Sequence, residues 1–341
     1  MFFMELSGTG YEMGYQAGKL SRLAIGATID LLAKGFRRWD NEQFTSARKK
    51  YMSFTEKICP ELIEEIQGMA DGSGFPFQWL YLANFYALMK ESREGCSNIV
   101  FTQSGSGPMM AKTNDLPVHE GKHSIVKLKR PRNGYASLSV SWAGTVWGGA
   151  GINEAGLAVG GSSSSSSVQA PDNPIDPHCL NYCLLTRAGS VAEAVDLLKD
   201  IPLTARGANI PLADRSGDAV VVEKAGNLQY LRRPVDGVLW CTNHSLSGEM
   251  APYRADNPAR LNESMERYAA IENLIREKPR DAGLLKKIVA YNRRPGALCR
   301  YGDDDPLKYE TEWAGIFHPS RQEIEVCFTH ADRDPWVGFR M

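Results

Sequence analysis

Glu94-Gly95-Cys96-Ser97-Asn98 marks a change of character in the chain. Upstream, apolar residues recur with helical spacing and glycine punctuation; downstream they alternate at the two-residue period of strands. Here a cysteine opens the first strand of a β-rich region, with glycine before it and a small hydroxyl residue after it. That is the form of a nucleophile that a backbone cut would leave at a new N-terminus. A cysteine considered alone is more often a small buried hydrophobe, so the rest of the chain must carry the reading.

Working upstream, Met13, Ala17, Leu20, Ala24, Ala27 and Leu31 recur at gaps of four and three. This spacing predicts an amphipathic helix entered through Gly8-Thr9-Gly10. Pro60 suits the first turn of another helix, with Leu62, Ile63, Ile66 and Met69 opposing Glu61, Glu64 and Glu65, and Gly72 and Gly74 ending it. A third helix is expected from Phe77 to Lys90.

Downstream, Ala136, Leu138, Val140 and Trp142 alternate with Tyr135, Ser137, Ser139 and Ser141, the pattern of a strand with one drier face. Residues 98–102, 109–113, 124–129, 313–317 and 323–328 are strand-like. Ala219 to Glu223 and Leu228 to Arg232, joined through Ala225-Gly226-Asn227, form a predicted hairpin. Helices are expected near 175–187, 190–199 and 262–277. Strands, then a block of helices, then strands again suggest sheets layered with helices rather than an alternating βα wind. The six serines Ser162 to Ser167 have the composition of a loop, with a polar substrate-lining loop as the sharper reading.

The 341 residues include 39 basic and 40 acidic side chains, a formal net charge of −1. No global field favours nucleic acid or an anionic membrane. The seven cysteines are scattered and resemble neither a disulfide framework nor a zinc site. Cys179 and Cys183, in an apolar helix-like run, are read as core. The first residues lack the pattern of a secretory leader, and no run approaches bilayer-spanning length, so a reducing cytoplasm is the expected compartment. Gly148-Gly149-Ala150-Gly151 lacks the setting and downstream acid of a dinucleotide site.

Seven segments occur in order: residues 8–18 (Gly8-Thr9-Gly10 through Gly18), residues 65–72, Gly95-Cys96-Ser97, Thr113-Asn114-Asp115, residues 151–157 (Gly151-Ile152-Asn153 through Leu157), Thr242-Asn243-His244 and Leu298-Cys299-Arg300. Together they resemble the acyl-coenzyme A:6-aminopenicillanic-acid acyltransferase family of N-terminal-nucleophile hydrolases, related to the choloylglycine hydrolases. The resemblance covers nearly the whole chain. It implies an α+β fold, an αββα sandwich of two stacked, mainly antiparallel sheets flanked by helices. It also implies a precursor that cuts itself at Gly95-Cys96, leaving residues 1–95 as a helical piece and residues 96–341 as the piece carrying the αββα core, associated in one folded unit.

On that resemblance Cys96 is the nucleophile. The chemistry is sound on its own terms: a free cysteine thiol has a pKa of about 8.5 and an α-amine about 7.7 to 8.0, so a cut would give one residue both nucleophile and base. Asp115 would support the α-ammonium, Asn243 and Asn153 would donate to the developing oxyanion, and Arg300 would pair with a carboxylate near the site. Lys112 stands where choloylglycine relatives carry arginine, and the loss of a planar donor fork leaves it without an assigned role. His244 is read as structural and Glu223 as family-like, without a defined duty.

The expected activity is hydrolysis or acyl transfer on a linear amide or acyl thioester through a Cys96 thioester. The expected partner is a small acyl amide or acyl thioester. No metal or resident cofactor is implied, although an acyl-coenzyme A could serve as acyl donor. Trp142 and Trp147 are candidates for an apolar pocket. Nucleic acid and membrane partners are not expected; associated cleavage fragments and a homo-oligomer are compatible. The alternatives are an unprocessed, non-catalytic scaffold that binds a small metabolite, and a conventional cysteine hydrolase with His244 as base.

Overall fold

A computed structural model describes residues 3–33, 38–85, 95–118, 124–169, 171–255, 257–276 and 279–341. The chain begins with β1 (Phe3–Gly8), followed by α1 (Gly10–Leu32), α2 (Asn41–Tyr51), α3 (Ser53–Ile58), α4 (Pro60–Ser73) and α5 (Phe77–Asn84). The predicted continuation of that last helix over 86–90, Glu94 and Glu277 lie outside the described residues.

Thr9 caps α1 in a reciprocal box with Glu12. Met13 and Ala17 are buried, but Leu20 is 52% exposed. The backbone leaves helical geometry at Ser21, and beyond this kink Ile25, Ile29 and Leu32 take over the buried face in place of the expected Ala24, Ala27 and Leu31. A side chain on Gly14 would overlap the Glu65 carbonyl oxygen, and one on Gly68 the Tyr11 carbonyl oxygen. These glycines therefore let the α1 and α4 backbones touch. Glu65, expected on the polar face of α4, is fully buried and pairs with Lys129 of the neighbouring sheet.

After α5 come β2 (Gly95–Phe101), β3 (Met109–Pro117), β4 (Ser124–Pro131), β5 (Ser137–Trp142), β6 (Gly148–Asn153), β7 (Leu157–Val159) and β8 (Ser162–Ser163). Helices α6 (Pro177–Arg187) and α7 (Val191–Lys199) follow, capped by Asp176 and Ser190. The chain continues as β9 (Ala208–Asp214), β10 (Ala219–Ala225), β11 (Leu228–Arg232), β12 (Val238–Cys241), α8 (Pro258–Leu274), α9 (Ala282–Val289), β13 (Tyr309–His318), β14 (Glu323–Cys327) and β15 (Val337–Arg340).

The strands make two sheets. One runs β1-β4-β5-β6-β7-β9-β10-β11, with β8 beside β9; the other runs β12-β2-β3-β13-β14-β15. Neighbours are antiparallel except β1 on β4. Strand β1 had no signature in the sequence pattern, yet it ties residues before Gly95 directly into the larger sheet.

Burial defines four layers. Val100 and Met110 of the smaller sheet pack with Val126, Leu138, Val140 and Val221 of the larger one in a core between the sheets. Residues of α1, α4, α5, α6 and α7 cover the outer face of the larger sheet, while Ile271, Leu285 and Ile288 of α8 and α9 cover Ile99, Phe101 and Ile316 on the outer face of the smaller. The fold is an αββα sandwich of two stacked, mainly antiparallel sheets. The serine face of β5, expected to be the wetter one, is buried as well.

Candidate active site

The pairing of β2 with β3 sets Gly95 opposite Asp115, Cys96 opposite Asn114 and Asn98 opposite Lys112. Cys96 is fully buried. Its Sγ lies 3.4 Å from Lys112 Nζ and 3.7 Å from Asn114 Oδ1. Lys112 also donates to the Gly161 carbonyl and stands over the Trp313 ring. Lys112 thus donates to the sulfur, a place that sequence reading left unassigned.

The backbone of Cys96 is held on both sides. Its N–H donates to Asn243 Oδ1 at 2.8 Å, and its carbonyl accepts from Arg267 Nη1 at 2.7 Å. Arg267 Nη2 also donates to Asn243 Oδ1 at 2.8 Å. Two donors converging on one atom fix the orientation of the Asn243 amide, and its Nδ2 then faces Ser163, donating to that carbonyl at 2.9 Å.

Behind this lies a buried ionic group. Arg267 forks onto Glu263, one helical turn away, at 2.7 and 3.0 Å. Glu263 also meets Arg300 Nη1 at 2.9 Å, and Arg300 is held by both oxygens of Asp305 at 2.7 and 2.9 Å. Although burial would raise them, these guanidinium partners hold Glu263 below the usual carboxylate range and bring Asp305 to about 2.

Asp115 differs. Its Oδ1 accepts from Thr311 Oγ1 at 2.8 Å, but Arg300 Nη1 is 3.8 Å from its Oδ2. Burial therefore prevails, and its carboxyl is pushed up to about 6 despite Arg300 and Arg267. It is poised to change charge near neutrality, beside Gly95.

An apolar pocket lined by residues of both sheets and of α6 opens next to this group. Lys112, Asn114 and Ser163 line its floor, while Trp142, Trp147 and Trp313 form its walls. Trp147 stacks on His178, and its indole N–H donates to the Asn84 carbonyl at 3.0 Å. Asn84, at the end of α5, also donates to Gly144 O and accepts from Val146 N. A residue before Gly95 thus fixes the loop that carries a pocket wall. Among the described residues, no group of three or more His, Cys, Asp and Glu side chains is placed to hold a metal ion.

Five residues singled out in the sequence, Gly95, Cys96, Asp115, Asn243 and Arg300, come together here. Asn153 does not join them. Its amide nitrogen donates to the Leu185 and Ala188 carbonyls and its oxygen accepts from Leu157 N, so it braces the β6–β7 turn against α6. His244 is bound to Ser264 Oγ, and burial followed by the nearby Arg267 lowers it to about 4. Glu223 accepts from Leu246 N, Ser247 N and Arg232, which shapes the turn after His244. Of the serine run, Ser162 and Ser163 form β8 and line the pocket.

Sequence reading missed Arg267, Glu263, Thr311 and Asn114. A faint signal existed for Arg267: it shares a helical stripe with Ser264 and Ile271, where an apolar residue would ordinarily sit.

Residues 101–333 match the model of the family described as acyl-coenzyme A:6-aminopenicillanic acid acyl-transferase. The match begins just downstream of Cys96. Solved structures similar to this chain include penicillin V acylase from Agrobacterium tumefaciens, with 16% identity over 72% of this chain and 86% of that one at a TM-score of 0.48. The Caenorhabditis elegans ortholog of N-acylethanolamine-hydrolyzing acid amidase matches with 13% identity over 72% and 100%, at 0.46. A mutant conjugated bile acid hydrolase from Clostridium perfringens matches with 12% identity over 72% and 97%, at 0.45.

Proposed function

The chain belongs to the acyl-coenzyme A:6-aminopenicillanic acid acyl-transferase family, and we propose that it is a self-processing amide hydrolase or acyltransferase whose nucleophile is Cys96. One observation carries the reading: a buried charged group converges on the single peptide Gly95-Cys96. Asn243 and Arg267 grip the backbone of Cys96, and Asp115 stands opposite Gly95.

In the cut, Cys96 Sγ attacks the Gly95 carbonyl carbon. The S–C bond forms, the C–N bond breaks, and the thiol proton leaves with the nitrogen of Cys96 as a free α-amine. Water then hydrolyses the thioester, giving a Gly95 carboxylate and a Cys96 that carries both thiol and amine. Residues 1–95 and 96–341 stay together because α1, α4, α5 and β1 share a core and a sheet with the later strands.

In turnover the α-amine takes the thiol proton and the thiolate attacks the acyl carbonyl. Lys112 stabilises the thiolate, ionised Asp115 supports the ammonium, and Asn243 Nδ2, on the Ser163 side of the pocket, donates to the oxyanion, a contribution of about 3 kcal/mol. The ammonium returns its proton to the departing amine or thiol. The acyl group then passes from sulfur to water or to an acceptor amine.

The tryptophan walls suit an acyl group with apolar bulk, presented as a small acyl amide or acyl thioester, an acyl-coenzyme A among them. Mass spectrometry after acid quench, with N-acyl amino acids, β-lactams and acyl thioesters as probes, tests this directly. An acyl adduct on the piece starting at Cys96, removed by hydroxylamine and absent in Cys96→Ala, supports the reading. A chain that binds these compounds without turnover or adduct supports instead an unprocessed metabolite-binding scaffold.

A further inference from the structure

Far from the nucleophile, Cys59 Sγ and Cys183 Sγ lie 2.7 Å apart. Both residues are fully buried. Cys59 joins α3 to α4 and Cys183 sits in the middle of α6, so the contact bridges the part of the chain before Gly95 and the part after it. Cys179, one turn away, is engaged elsewhere, against the Asn84 carbonyl.

We propose that Cys59 and Cys183 are an oxidation site that closes to a disulfide stapling residues 1–95 to residues 96–341. A bonded sulfur pair is separated by about 2.05 Å, so closure requires a movement of under about 1 Å. Neither helix need be displaced, since both cysteines already share one packed core.

The chemistry balances with a small-molecule disulfide such as oxidised glutathione as oxidant. One cysteine thiolate displaces a glutathione thiolate to form a mixed disulfide; the second attacks the protein sulfur of that intermediate and releases the second glutathione. Two protein thiols are oxidised, and one small disulfide is reduced to two thiols. The exchange belongs to folding, while the sulfurs are still reachable. In the finished fold, Cys183 and burial keep the Cys59 thiol protonated and therefore unreactive.

A second feature points to this place. A cleft lined by Pro60, Glu61, Tyr182, Thr186 and Arg187 reaches the immediate chain neighbours of both cysteines. The pair thus lies just beneath a surface opening at the seam between the two parts.

The staple itself does not depend on the proposed cut; only its role in holding two pieces together does. The test is to produce the full chain in hosts with reducing and with oxidising cytoplasm, denature it in iodoacetamide, and map the peptides without reductant. In the oxidising host a linked Cys59–Cys183 peptide is expected, released by dithiothreitol, with two fewer labels than the seven cysteines of the reduced chain. Full labelling of both positions in the oxidising host overturns the proposal, as does either sulfur linked to a different cysteine. Cys183→Ala should remove the linked peptide while leaving Cys59 labelled.

A gel separates this proposal from the previous one. A cut and stapled chain runs as one species without reductant and as two with it. An uncut chain runs at full length in both lanes, and the linked peptide is still found.

Discussion

Asp115 stands opposite Gly95 across the β2–β3 ladder, and one nitrogen of Arg300 lies beside both, 3.8 Å from the Asp115 carboxylate and 2.8 Å from where a Gly95 side chain would begin. Arg300 cannot swing aside, because Asp305 and Glu263 grip its guanidinium. A side chain at position 95 would therefore press on this charged group.

Gly95→Ala is accordingly expected to fold but to slow conversion of the precursor at least about tenfold, the effect of about 1.4 kcal/mol in barrier. A time course of intact mass at fixed pH measures it. Conversion at the wild-type rate would mean that the Arg300 contact does not constrain the cut.

The raised carboxyl of Asp115 gives two pH effects. Its folded value of about 6 exceeds an unfolded value near 3.9, so folding takes up a proton between them. The cost of burying the ionised form is absent below about pH 4 and complete above about pH 6, amounting to about 3 kcal/mol. Stability from this group thus falls as pH rises through that window. Asp115→Asn should lose that slope in thermal unfolding measured between pH 4 and pH 7. Its turnover should also fall at least about tenfold, and the wild-type dependence of the self-cleavage rate on pH near 6, a property of the uncut chain, should vanish.

Arg267→Lys tests the grip on Cys96. A lysine keeps the charge but cannot reach the Cys96 carbonyl, Asn243 and Glu263 together. Processing should slow at least about tenfold, and melting should drop as Glu263 loses its fork, by up to about 3 kcal/mol. A variant that melts lower yet processes normally would confine Arg267 to stability.

Asn84→Ala removes the side-chain bonds to Gly144 and Val146 that brace the loop bearing Trp147, while leaving the Cys96 group intact. The expected result is a KM raised about tenfold for bulky acyl groups, with kcat and the KM for an acetyl analogue changed little. Equal effects on large and small acyl groups would contradict the assignment of this loop to the pocket wall.

The sequence announced the layers because strand alternation and helical stripes record which face is buried, and Gly95-Cys96 stood where one periodicity gave way to the other. It misjudged the outer half of α1 because a local kink at Ser21 moves the buried face by one residue, and no stripe announces that. The polar face assigned to α4 concealed Glu65, whose partner Lys129 lies in a strand far along the chain. The same distance hid the ionic group: Arg267, Glu263, Asp305 and Thr311 look like ordinary surface polar residues until α8 and β13 close over β2 and β3. Asn153 shows the converse, a motif residue that braces a turn and stays away from the nucleophile. Cys59 and Cys183 carried no pairing signal, since only the approach of the α3–α4 joint to α6 in the fold brings them together.

Intact mass with N-terminal sequencing of wild type and Cys96→Ala tests the cut at the Gly95-Cys96 peptide bond most directly. Wild-type protein should yield two pieces, one with Cys96 at its N-terminus, while Cys96→Ala remains a single chain near 37.7 kDa. An active wild-type enzyme that stays uncut after prolonged incubation, or a Cys96→Ala chain that is cut all the same, would contradict it.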